Sequence, residues 1–367
     1  MSKTEYFFVF GRNPELSYAE LVAYLSGRGI EFNKISFERN MLIMGFQEDP
    51  NLNIQDFGGI IKLGRITFKG DHNNFLIYID DEELIESDKF TYSIIGYAIG
   101  DVVGNKFKRE KRKAMLKRGR RQLKLQKSET ILIPNADVEF FGFDLDDLIY
   151  FGTVEQDYSF AEIKERDMKK PVRRESLAIS PRLAKILINL SQVQEGDLLL
   201  DPFCGVGGIL QEALLKKINV YGVDKDKKAI ESAKKNLKWI DKRYGLEATY
   251  KLLAQDSRKA PNMKVGGIAT EPDLGAVVRS KPSNKDAKSH LKGFETLFIS
   301  VLKRMVEIKR PGAKIATTMP FIRNHSVDLG RICSQTGLRL ARFDHVEFPI
   351  KEFREDSLIG REIVVFE

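Results

Sequence analysis

The sequence predicts an α/β protein in which a doubly wound, mostly parallel sheet occupies the C-terminal half and an α+β region precedes it. Three observations predict this fold class. From Leu198 onwards, apolar strand-like runs alternate with helix-like segments, the pattern of a parallel sheet with helices on both faces. The last two strand-like segments, 338–348 and 361–367, have no helix between them, which predicts an antiparallel end to that sheet. Residues 1–160 instead combine short strands, a hairpin and few helices.

The elements of the C-terminal half follow from apolar periodicity and turn residues. In chain order they are predicted as a strand at 198–205, a helix at 208–217, a strand at 219–224, a helix at 225–240, strands near 248–256 and at 266–272, a helix at 285–310, a strand at 313–320, a helix at 327–335 and the two final strands.

The first 160 residues predict two small α+β units, at 1–59 and 60–160. The elements are a strand at 5–11, a helix at 15–27, a hairpin at 32–46, strands at 60–70 and 91–100, a basic helix within 106–127, and strands at 129–134 and 148–158. Residues 161–180 are polar and charged with a proline, so they are predicted to be a linker before a domain at 181–367.

Composition excludes several classes of protein. Hydrophobic residues make up 42% and charged residues 31%, which is typical of a globular chain, and no run of about 18 apolar residues predicts a membrane span. Cys204 and Cys333 have no neighbouring His or Cys at metal-ligand spacing, so neither a disulfide scaffold nor a metal site is expected. A reducing, cytoplasmic setting fits this cysteine usage best.

The net charge of +8 is unevenly distributed. Residues 106–127 hold twelve Lys or Arg against the single Glu110, a charge of +11 that leaves −3 for the other residues, so the basic character is assigned to this segment. Such a run is either a solvated helix face or a surface for backbone phosphates, and its concentration favours nucleic acid. The candidate RNA-binding residues are Lys108, Arg109, Lys111, Arg112, Lys117, Arg118, Arg120 and Arg121.

The sequence DPFCGVGG, residues 201–208, joins a predicted strand to a predicted helix through three glycines. Asp224 ends the next strand, nineteen residues after Gly205, where a carboxylate can accept both hydroxyls of a ribose, and Asp256 ends the third strand in the same way. The carboxyl ends of the strands in open α/β sheets form the crevice that binds nucleosides. The pattern therefore predicts a nucleoside site rather than a tight turn alone.

Two other nucleotide-binding motifs fit this loop less well. A dinucleotide-binding loop clasps a pyrophosphate, which the carboxylate of Asp201 would repel, and no phosphate-binding G-x-x-x-x-G-K-[ST] motif occurs. An acidic residue before the glycines suits a cationic ligand with an amino group, a ribose and an adenine, namely S-adenosyl-L-methionine. The candidate cofactor-binding residues are Asp201, Phe203, Gly205, Gly207, Gly208, Asp224, Lys225, Asp256 and Ser257.

DPFCGVGGILQEA and VYGVDKD, together with KERDMKKPVRRESLAISPRLAKILINLS and the opening YFFVFGRNPELSYAEL, resemble the THUMP-domain tRNA (guanosine-N2) methyltransferases of the position-10 type. The resemblance implies a ferredoxin-like unit at 1–59, a THUMP-like RNA-binding domain at 60–160 and a Rossmann-like methyltransferase domain at 181–367. It also implies that Asp201 and its loop hold the methionine portion of the cofactor, Asp224 the ribose and Asp256 the adenine amine. A tRNA substrate and a small zinc-binding activator subunit are the partners it suggests.

The family's catalytic D-P-P-Y motif, at the end of the fourth strand, corresponds here to Glu271, Pro272, Asp273 and Leu274. A carboxylate and a backbone carbonyl that accept the N–H groups of a guanine amine turn its lone pair toward the methyl group. Glu271 and Pro272 retain that chemistry, while Leu274 replaces the aromatic residue that stacks on the base. Asp273 is a second catalytic candidate or simply an acidic residue that begins the loop.

Three functions stay open on these residues alone. The first is methylation of a guanine amine in tRNA, with Glu271, Pro272 and Asp273 as the catalytic candidates. The second is methylation of another base or another RNA. The third is an RNA-binding protein that keeps the methyltransferase fold without efficient catalysis, which the altered motif favours. His290 and Trp239 are interpreted as non-catalytic residues on helices.

Overall fold

The computed structural model describes residues 4–96, 99–119, 121–124, 130–133, 136–173, 179–274, 282–352 and 359–367, with backbone only for 121–124 and 130–133. The chain forms two units. Residues 1–17, 30–55 and 59–158 make up the N-terminal unit, and residues 18–29, 56–58 and 159–367 the C-terminal unit. No helix among the described residues has the length and apolar character to cross a membrane.

The N-terminal unit is built on one mixed sheet, with the strand order β2-β3-β1-β4-β10-β9-β5-β6, to which β11 adds beside β4, while β7 and β8 form a separate pair. Its strands are β1 (Thr4–Phe10), β2 (Phe32–Glu38), β3 (Met41–Phe46), β4 (Ile60–Gly70), β5 (Lys89–Gly96), β6 (Lys113–Leu116), β7 (Arg121–Lys124), β8 (Thr130–Ile133), β9 (Val138–Leu145), β10 (Leu148–Thr153) and β11 (Gln156–Asp157). Its helices are α2 (His72–Asp81) and α3 (Gly100–Arg109), and α1 (Pro14–Gly27) begins in this unit.

Strand β4 joins the two halves of this sheet, because residues 60–65 pair with β1 and residues 66–70 pair with β10. The sheet therefore includes strands from both segments that the sequence predicted as separate small units. Aromatic packing holds it together: Phe7 stacks on Phe141 with ring centroids 4.3 Å apart, and Phe140 and Phe151 pack with α2 and α3 in a buried cluster. The functional division at residue 60 stays a prediction.

The prediction of a basic helix through 106–127 is wrong. Helix α3 ends at Arg109, Lys111 adopts a left-handed conformation with φ +57°, and the Arg112 N–H donates to the Phe107 carbonyl at 3.0 Å to close the helix end. The chain then returns as β6, parallel to β5. Ala, Met and Leu at 114–116 are consecutive rather than spaced by three or four, so they give a helix no continuous apolar face.

The C-terminal unit is a seven-stranded sheet with the order β14-β13-β12-β15-β16-β18-β17. Its strands are β12 (Leu198–Asp201), β13 (Asn219–Asp224), β14 (Tyr250–Ala254), β15 (Gly267–Thr270), β16 (Ile315–Ile322), β17 (Ile350–Glu352) and β18 (Ile359–Phe366). Its helices are α4 (Phe160–Met168), α5 (Pro181–Leu190), α6 (Gly208–Leu215), α7 (Lys227–Tyr244), α8 (Asn284–Ile308) and α9 (Leu329–Thr336), with most of α1.

The predicted parallel sheet with an antiparallel end is confirmed, since β12 to β16 run parallel and β18 runs antiparallel to both β16 and β17. The penultimate strand was predicted too early, at 338–348. That segment makes only isolated bridges, because the chain turns at Asp344 and His345 (φ +52°), where Phe343 pairs with Val346. The strand β17 follows this turn.

The segment predicted as a linker, 161–180, contains helix α4. Ser159 caps the helix by accepting the Glu162 N–H, and Arg166 is buried. The Arg166 guanidinium donates two hydrogen bonds to Glu212 of α6, at 3.0 and 3.2 Å. A bidentate, buried ion pair of this kind fixes α4 against the sheet domain.

Candidate active site

Four acidic residues lie at the carboxyl ends of neighbouring parallel strands in the C-terminal unit. Asp201 and Asp224 are the last residues of β12 and β13, Asp256 follows β14 by two residues, and Glu271 directly follows β15. The parallel register places these strand ends at one edge of the sheet. This edge is where open α/β sheets bind their ligands.

The glycine loop between β12 and α6 depends on backbone conformations that favour glycine. Gly205 and Gly207 have φ angles of +51° and +87°, and Gly207 is the residue that caps α6. A Cβ on Gly208 would come within 2.8 Å of the Ile179 side chain. The predicted loop thus requires these three glycines for its geometry.

The loop and Asp224 hold each other through backbone hydrogen bonds. The Gly205 N–H donates to Asp224 Oδ2 at 3.0 Å, and the Asp226 N–H donates to Asp224 Oδ1 at 2.9 Å. Each oxygen keeps a second lone pair that a hydroxyl donor can use. The neighbouring Lys225 is exposed.

Asp201 is buried, with 1% of its surface exposed. Its Oδ1 accepts the Thr270 hydroxyl at 2.7 Å and the Phe203 N–H at 3.1 Å, and among the described residues its Oδ2 accepts no hydrogen bond. Burial raises the pKa of Asp201 to about 7, helped by the negative charges of Asp224 and Glu271, while the two hydrogen bonds act in the opposite direction.

Ser257 and Phe203 support the same loop from its two sides. The Ser257 hydroxyl donates to the Pro202 carbonyl, which ties the turn after β14 to the end of β12. The Phe203 ring stacks on Phe298 of α8 at 6.4 Å between centroids. Both residues were candidates for cofactor contact, and both also have a structural role here.

Asp256 is more exposed than Asp201 and Glu271, with 35% of its side chain accessible. Its carboxylate accepts the Arg258 Nε–H at 3.0 Å and the Arg258 backbone N–H at 2.9 Å. These hydrogen bonds with Arg258 lower its pKa to about 2, so Asp256 is ionised at neutral pH. An ionised acceptor at this position suits an amino group, although Arg258 occupies part of its hydrogen-bonding capacity.

Glu271 forms the other side of the candidate site. Its side chain is only 10% exposed, and its Oε1 accepts the Arg361 Nε–H at 2.5 Å. Burial raises the pKa of Glu271, and the charge of Arg361 and its hydrogen bond act against that rise. Pro272 is buried and Asp273 is exposed.

His290 and Arg361 enter the site although the sequence interpretation gave neither a role there. His290 of α8 lies with Nε2 2.9 Å from the Leu274 carbonyl, so it contacts the backbone of the motif. Arg361 was missed because it lies 90 residues from Glu271. The sequence feature that could have indicated Arg361 is its position as a charged residue at the start of the apolar run REIVVF. Trp239 is half-buried on α7, as the sequence predicted for a helix face.

The candidate RNA-binding residues are not equivalent in the structure. Lys108, Lys111, Lys117 and Arg118 are exposed, whereas Arg112 is 14% exposed and its guanidinium bonds Glu110 and the carbonyls of Ile85 and Ser87. Arg109 is exposed but pairs with Asp80. Arg120 lies outside the described residues, and Arg121 is described only as backbone within β7.

The assignment of the basic character to one segment is also wrong. Residues 181–367 contain 33 Lys or Arg and 23 Asp or Glu, a net charge of +10. The first 180 residues outside 106–127 are acidic, and their negative charge offsets this positive charge in the total for the chain. Helix α7 contributes several exposed lysines to this positive charge, and none of them forms an ion pair with a described residue. These lysines are Lys227, Lys228, Lys234, Lys235, Lys238 and Lys242.

A family model described as RMKL-like, methyltransferase domain matches residues 171–292, which include the glycine loop, all four acidic residues and the start of α8. Across 99% of both chains, the fold is similar to the crystal structure of TrmN from Thermus thermophilus, with a TM-score of 0.54 and 14% identity. The sheet order, the glycine loop and the matched model define a Rossmann-like, S-adenosylmethionine-dependent methyltransferase domain preceded by an α+β region.

Curated relatives identify the family. The chain is 40% identical over 99 residues to the tRNA (guanine(10)-N2)-dimethyltransferase of Methanothermobacter thermautotrophicus, covering 27% of this chain and 28% of that one. It is 33% identical over 155 residues to the tRNA (guanine(10)-N2)-dimethyltransferase of Pyrococcus abyssi, covering 40% of this chain and 44% of that one. It is 34% identical over 114 residues to the probable tRNA (guanine(10)-N2)-dimethyltransferase of Methanothermococcus thermolithotrophicus, covering 30% of this chain and 70% of that one. The chain belongs to the tRNA (guanine(10)-N2)-dimethyltransferase family, although it spans less than half the length of the first two relatives.

Proposed function

We propose that this protein uses S-adenosylmethionine to methylate the N2 amine of a guanosine in tRNA, at the position for which its relatives are named. The observation that carries the proposal is Glu271, whose side chain is 10% exposed, directly after β15 and at the same sheet edge as the carboxylates of Asp201 and Asp224. Family membership supplies the reaction class. The residues at the crevice supply the chemistry.

The donor set fits S-adenosylmethionine. Asp224 presents two oriented carboxylate oxygens for the ribose hydroxyls, and Asp201 Oδ2 is available to the amino group of the methionine portion. Asp256 is the acceptor for the adenine amine. Carboxylates in these positions repel phosphate groups, which disfavours a dinucleotide. When bound, the cofactor supplies an electrophilic methyl group on a sulfonium.

Glu271 and the backbone beside Pro272 are the groups that hold the target amine. The carboxylate accepts one N–H of the amine and the Glu271 carbonyl accepts the other, which directs the nitrogen lone pair to the methyl group and stabilises charge that develops on nitrogen. The Leu274 carbonyl, three residues further along the motif, contacts His290 Nε2. Asp273 is exposed and stays a second catalytic candidate at the rim.

RNA binding is assigned first to the exposed cations Lys108, Lys111, Lys117 and Arg118 in the segment 60–160, which we propose as the THUMP-like domain. The lysines of α7 add a second cationic surface on the methyltransferase domain. Phosphate contacts of this kind position an RNA without reading its sequence. The zinc-binding activator subunit and the cytoplasmic location stay predictions.

A methylation assay tests the proposed function. Unmodified tRNA transcripts, labelled S-adenosylmethionine and the wild-type protein should yield label at guanosine 10, and nucleoside mass spectrometry separates one added methyl group from two. Glu271→Ala should lose most of the transfer while it still binds the cofactor, and Glu231→Ala, an exposed change on α7, should match the wild type. Equal, near-zero transfer by wild type and Glu271→Ala would favour an RNA-binding protein without catalysis, and label at another base would favour the alternative substrate.

Salt-dependent binding tests the RNA surface. Reversal of Lys108, Lys111, Lys117 and Arg118 to Glu should weaken tRNA binding and flatten the plot of log affinity against log salt by roughly 0.7 to 0.9 for each lost phosphate contact. Reversal of four α7 lysines measures the share of the second surface. An unchanged slope in the first variant would remove the RNA role of that segment.

A further inference from the structure

Within the part of the chain that the structure describes, Arg361 is the cation that pairs with Glu271, the acidic residue of the motif at the end of β15. It lies on β18, opposite Pro320 of the neighbouring strand β16, and its Nε–H donates to Glu271 Oε1 at 2.5 Å. The Glu271 side chain is 10% exposed and the Arg361 side chain 35% exposed. Among the described residues, Glu271 Oε2 accepts no hydrogen bond. One oxygen is therefore held while the other is available.

We propose that Arg361 is a positioning residue for methyl transfer: it fixes Oε1 of Glu271 and keeps the carboxylate ionised, so that Oε2 can accept an N–H of the target amine. The role rests on the proposed function of the same site. It goes beyond the matched family model, which ends at residue 292 and does not contain β18. Arg361 itself does not contact the reacting atoms.

The length of the Glu271 side chain explains why its carboxylate needs to be held in place by the ion pair with Arg361. Glu has one more rotatable bond than the Asp of the D-P-P-Y motif, so an unrestrained Glu271 would sample several carboxylate positions. A displacement of about 1 Å can cost roughly a hundredfold in rate. The guanidinium of Arg is rigid and planar, so its hydrogen bond restricts the carboxylate more closely than a flexible ammonium would. Arg361 thereby compensates for the extra methylene.

The ion pair with Arg361 also affects the protonation of Glu271. Burial favours the neutral acid and raises the pKa of Glu271, and the charge and hydrogen bond of Arg361 are what lower it among the described groups. The neighbouring Asp201 is another buried carboxyl, and each negative charge disfavours the other. Without Arg361, Glu271 would take up a proton at a higher pH. A protonated carboxyl loses one acceptor and is a poor partner for an N–H.

The C-terminal unit contains a matched control for this ion pair. Arg331 of α9 bonds Glu295 of α8 at 2.9 Å, with side-chain exposures of 34% and 9% against 35% and 10% for Arg361 and Glu271. The residue types and burial are the same, but the Arg331 pair lies in the helix layer rather than at the strand ends. Loss of either pair should cost similar stability. Only loss of the Arg361 pair should change the pH dependence of the reaction.

The experiment compares Arg361→Gln, Arg361→Lys and Arg331→Gln with the wild type in kcat and KM from pH 5.5 to 9. Arg361→Gln should lower kcat at pH 7 by at least tenfold, move the acidic limb of the profile up by one pH unit or more, and recover much of its activity at pH 9, with little change in KM. Arg361→Lys should fall between Arg361→Gln and the wild type. Arg331→Gln should overlay the wild-type profile, and cofactor affinity serves as the folding control for all variants.

A second readout does not depend on turnover. In protein labelled with ¹³C at the Glu carboxyl carbons, Glu271→Gln assigns the Glu271 resonance, which should titrate at higher pH in Arg361→Gln than in the wild type or in Arg331→Gln. An active wild type with an unshifted profile and an unshifted resonance in Arg361→Gln would overturn the positioning role alone. A wild type that transfers no methyl group would overturn the proposed function, and the positioning role of Arg361 in methyl transfer with it, whatever the titration shows.

Discussion

The candidate site has two sides, a proposed cofactor side around Asp224 and a proposed substrate side around Glu271, and they are built differently. On the cofactor side, Asp224 is oriented by the N–H groups of Gly205 and Asp226, which lie within 19 residues of it in the chain. On the substrate side, Glu271 is oriented by the side chain of Arg361, which lies 90 residues away on the antiparallel strand β18. Hydrogen bonds between groups that are close together in the chain come from a short sequence motif that can be recognised. A contact with one distant residue has no such motif.

The largest effect is expected from Asp224→Ala, which removes the acceptor on the cofactor side. Hydrogen bonds to a charged group contribute about 1.5 to 3 kcal/mol each, so the loss of two should raise the Kd for S-adenosylmethionine by roughly a hundredfold or more. Calorimetry measures this directly. Asp241→Ala, an exposed change on α7, is the control, and an unchanged Kd in Asp224→Ala would remove the cofactor role of the crevice.

A smaller effect, and a gain, is expected from Leu274→Tyr on the substrate side. Stacking of a base on an aromatic ring is worth about 1–3 kcal/mol, so a restored ring should lower the KM for tRNA by roughly tenfold and leave the Kd for the cofactor unchanged. Leu274→Met, which adds apolar volume without a ring, should have little effect. A KM that is unchanged or higher in Leu274→Tyr would mean that the base is held elsewhere.

The smallest effect is expected from Asp201→Asn on stability in the absence of cofactor. The native state binds a proton on Asp201 up to about pH 7, whereas an unfolded Asp releases it near pH 4. The native state thus binds more protons between these values, so Asp201 makes stability fall as pH rises across this window. An Asn keeps the acceptor for Thr270 and Phe203 without the charge.

The Tm of Asp201→Asn, measured by calorimetry, should therefore exceed that of the wild type by a few degrees at pH 8, and the difference should shrink toward pH 4. Asp241→Asn, a change at an exposed residue of α7, serves as the control. A difference that is constant with pH would show that burial of the Asp201 charge has no energetic consequence.

Much of the fold could be predicted because its signals are periodic and local. Alternating strands and helices predicted the parallel sheet, and the glycine motif predicted the loop that Asp224 contacts. Some predictions failed because composition was used in place of periodicity, whereas the strand predicted at 338–348 failed because the chain turns at Asp344 and His345. A run of cations was interpreted as one helix, but its apolar residues at 114–116 lack helical spacing and form β6. The net charge of the whole chain likewise concealed a methyltransferase domain with a charge of +10.

By itself, the sequence determined the class of sheet, the glycine loop and the family, because each depends on residues close together in the chain. The tertiary structure alone decided which side chains complete the altered motif. Strand order places β18 beside β16, and β16 beside β15, which brings Arg361 to Glu271 and lets a partly exposed cation pair with a carboxylate that is 10% exposed. Such a contact depends on how the sheet assembles, and no local pattern in the chain encodes it.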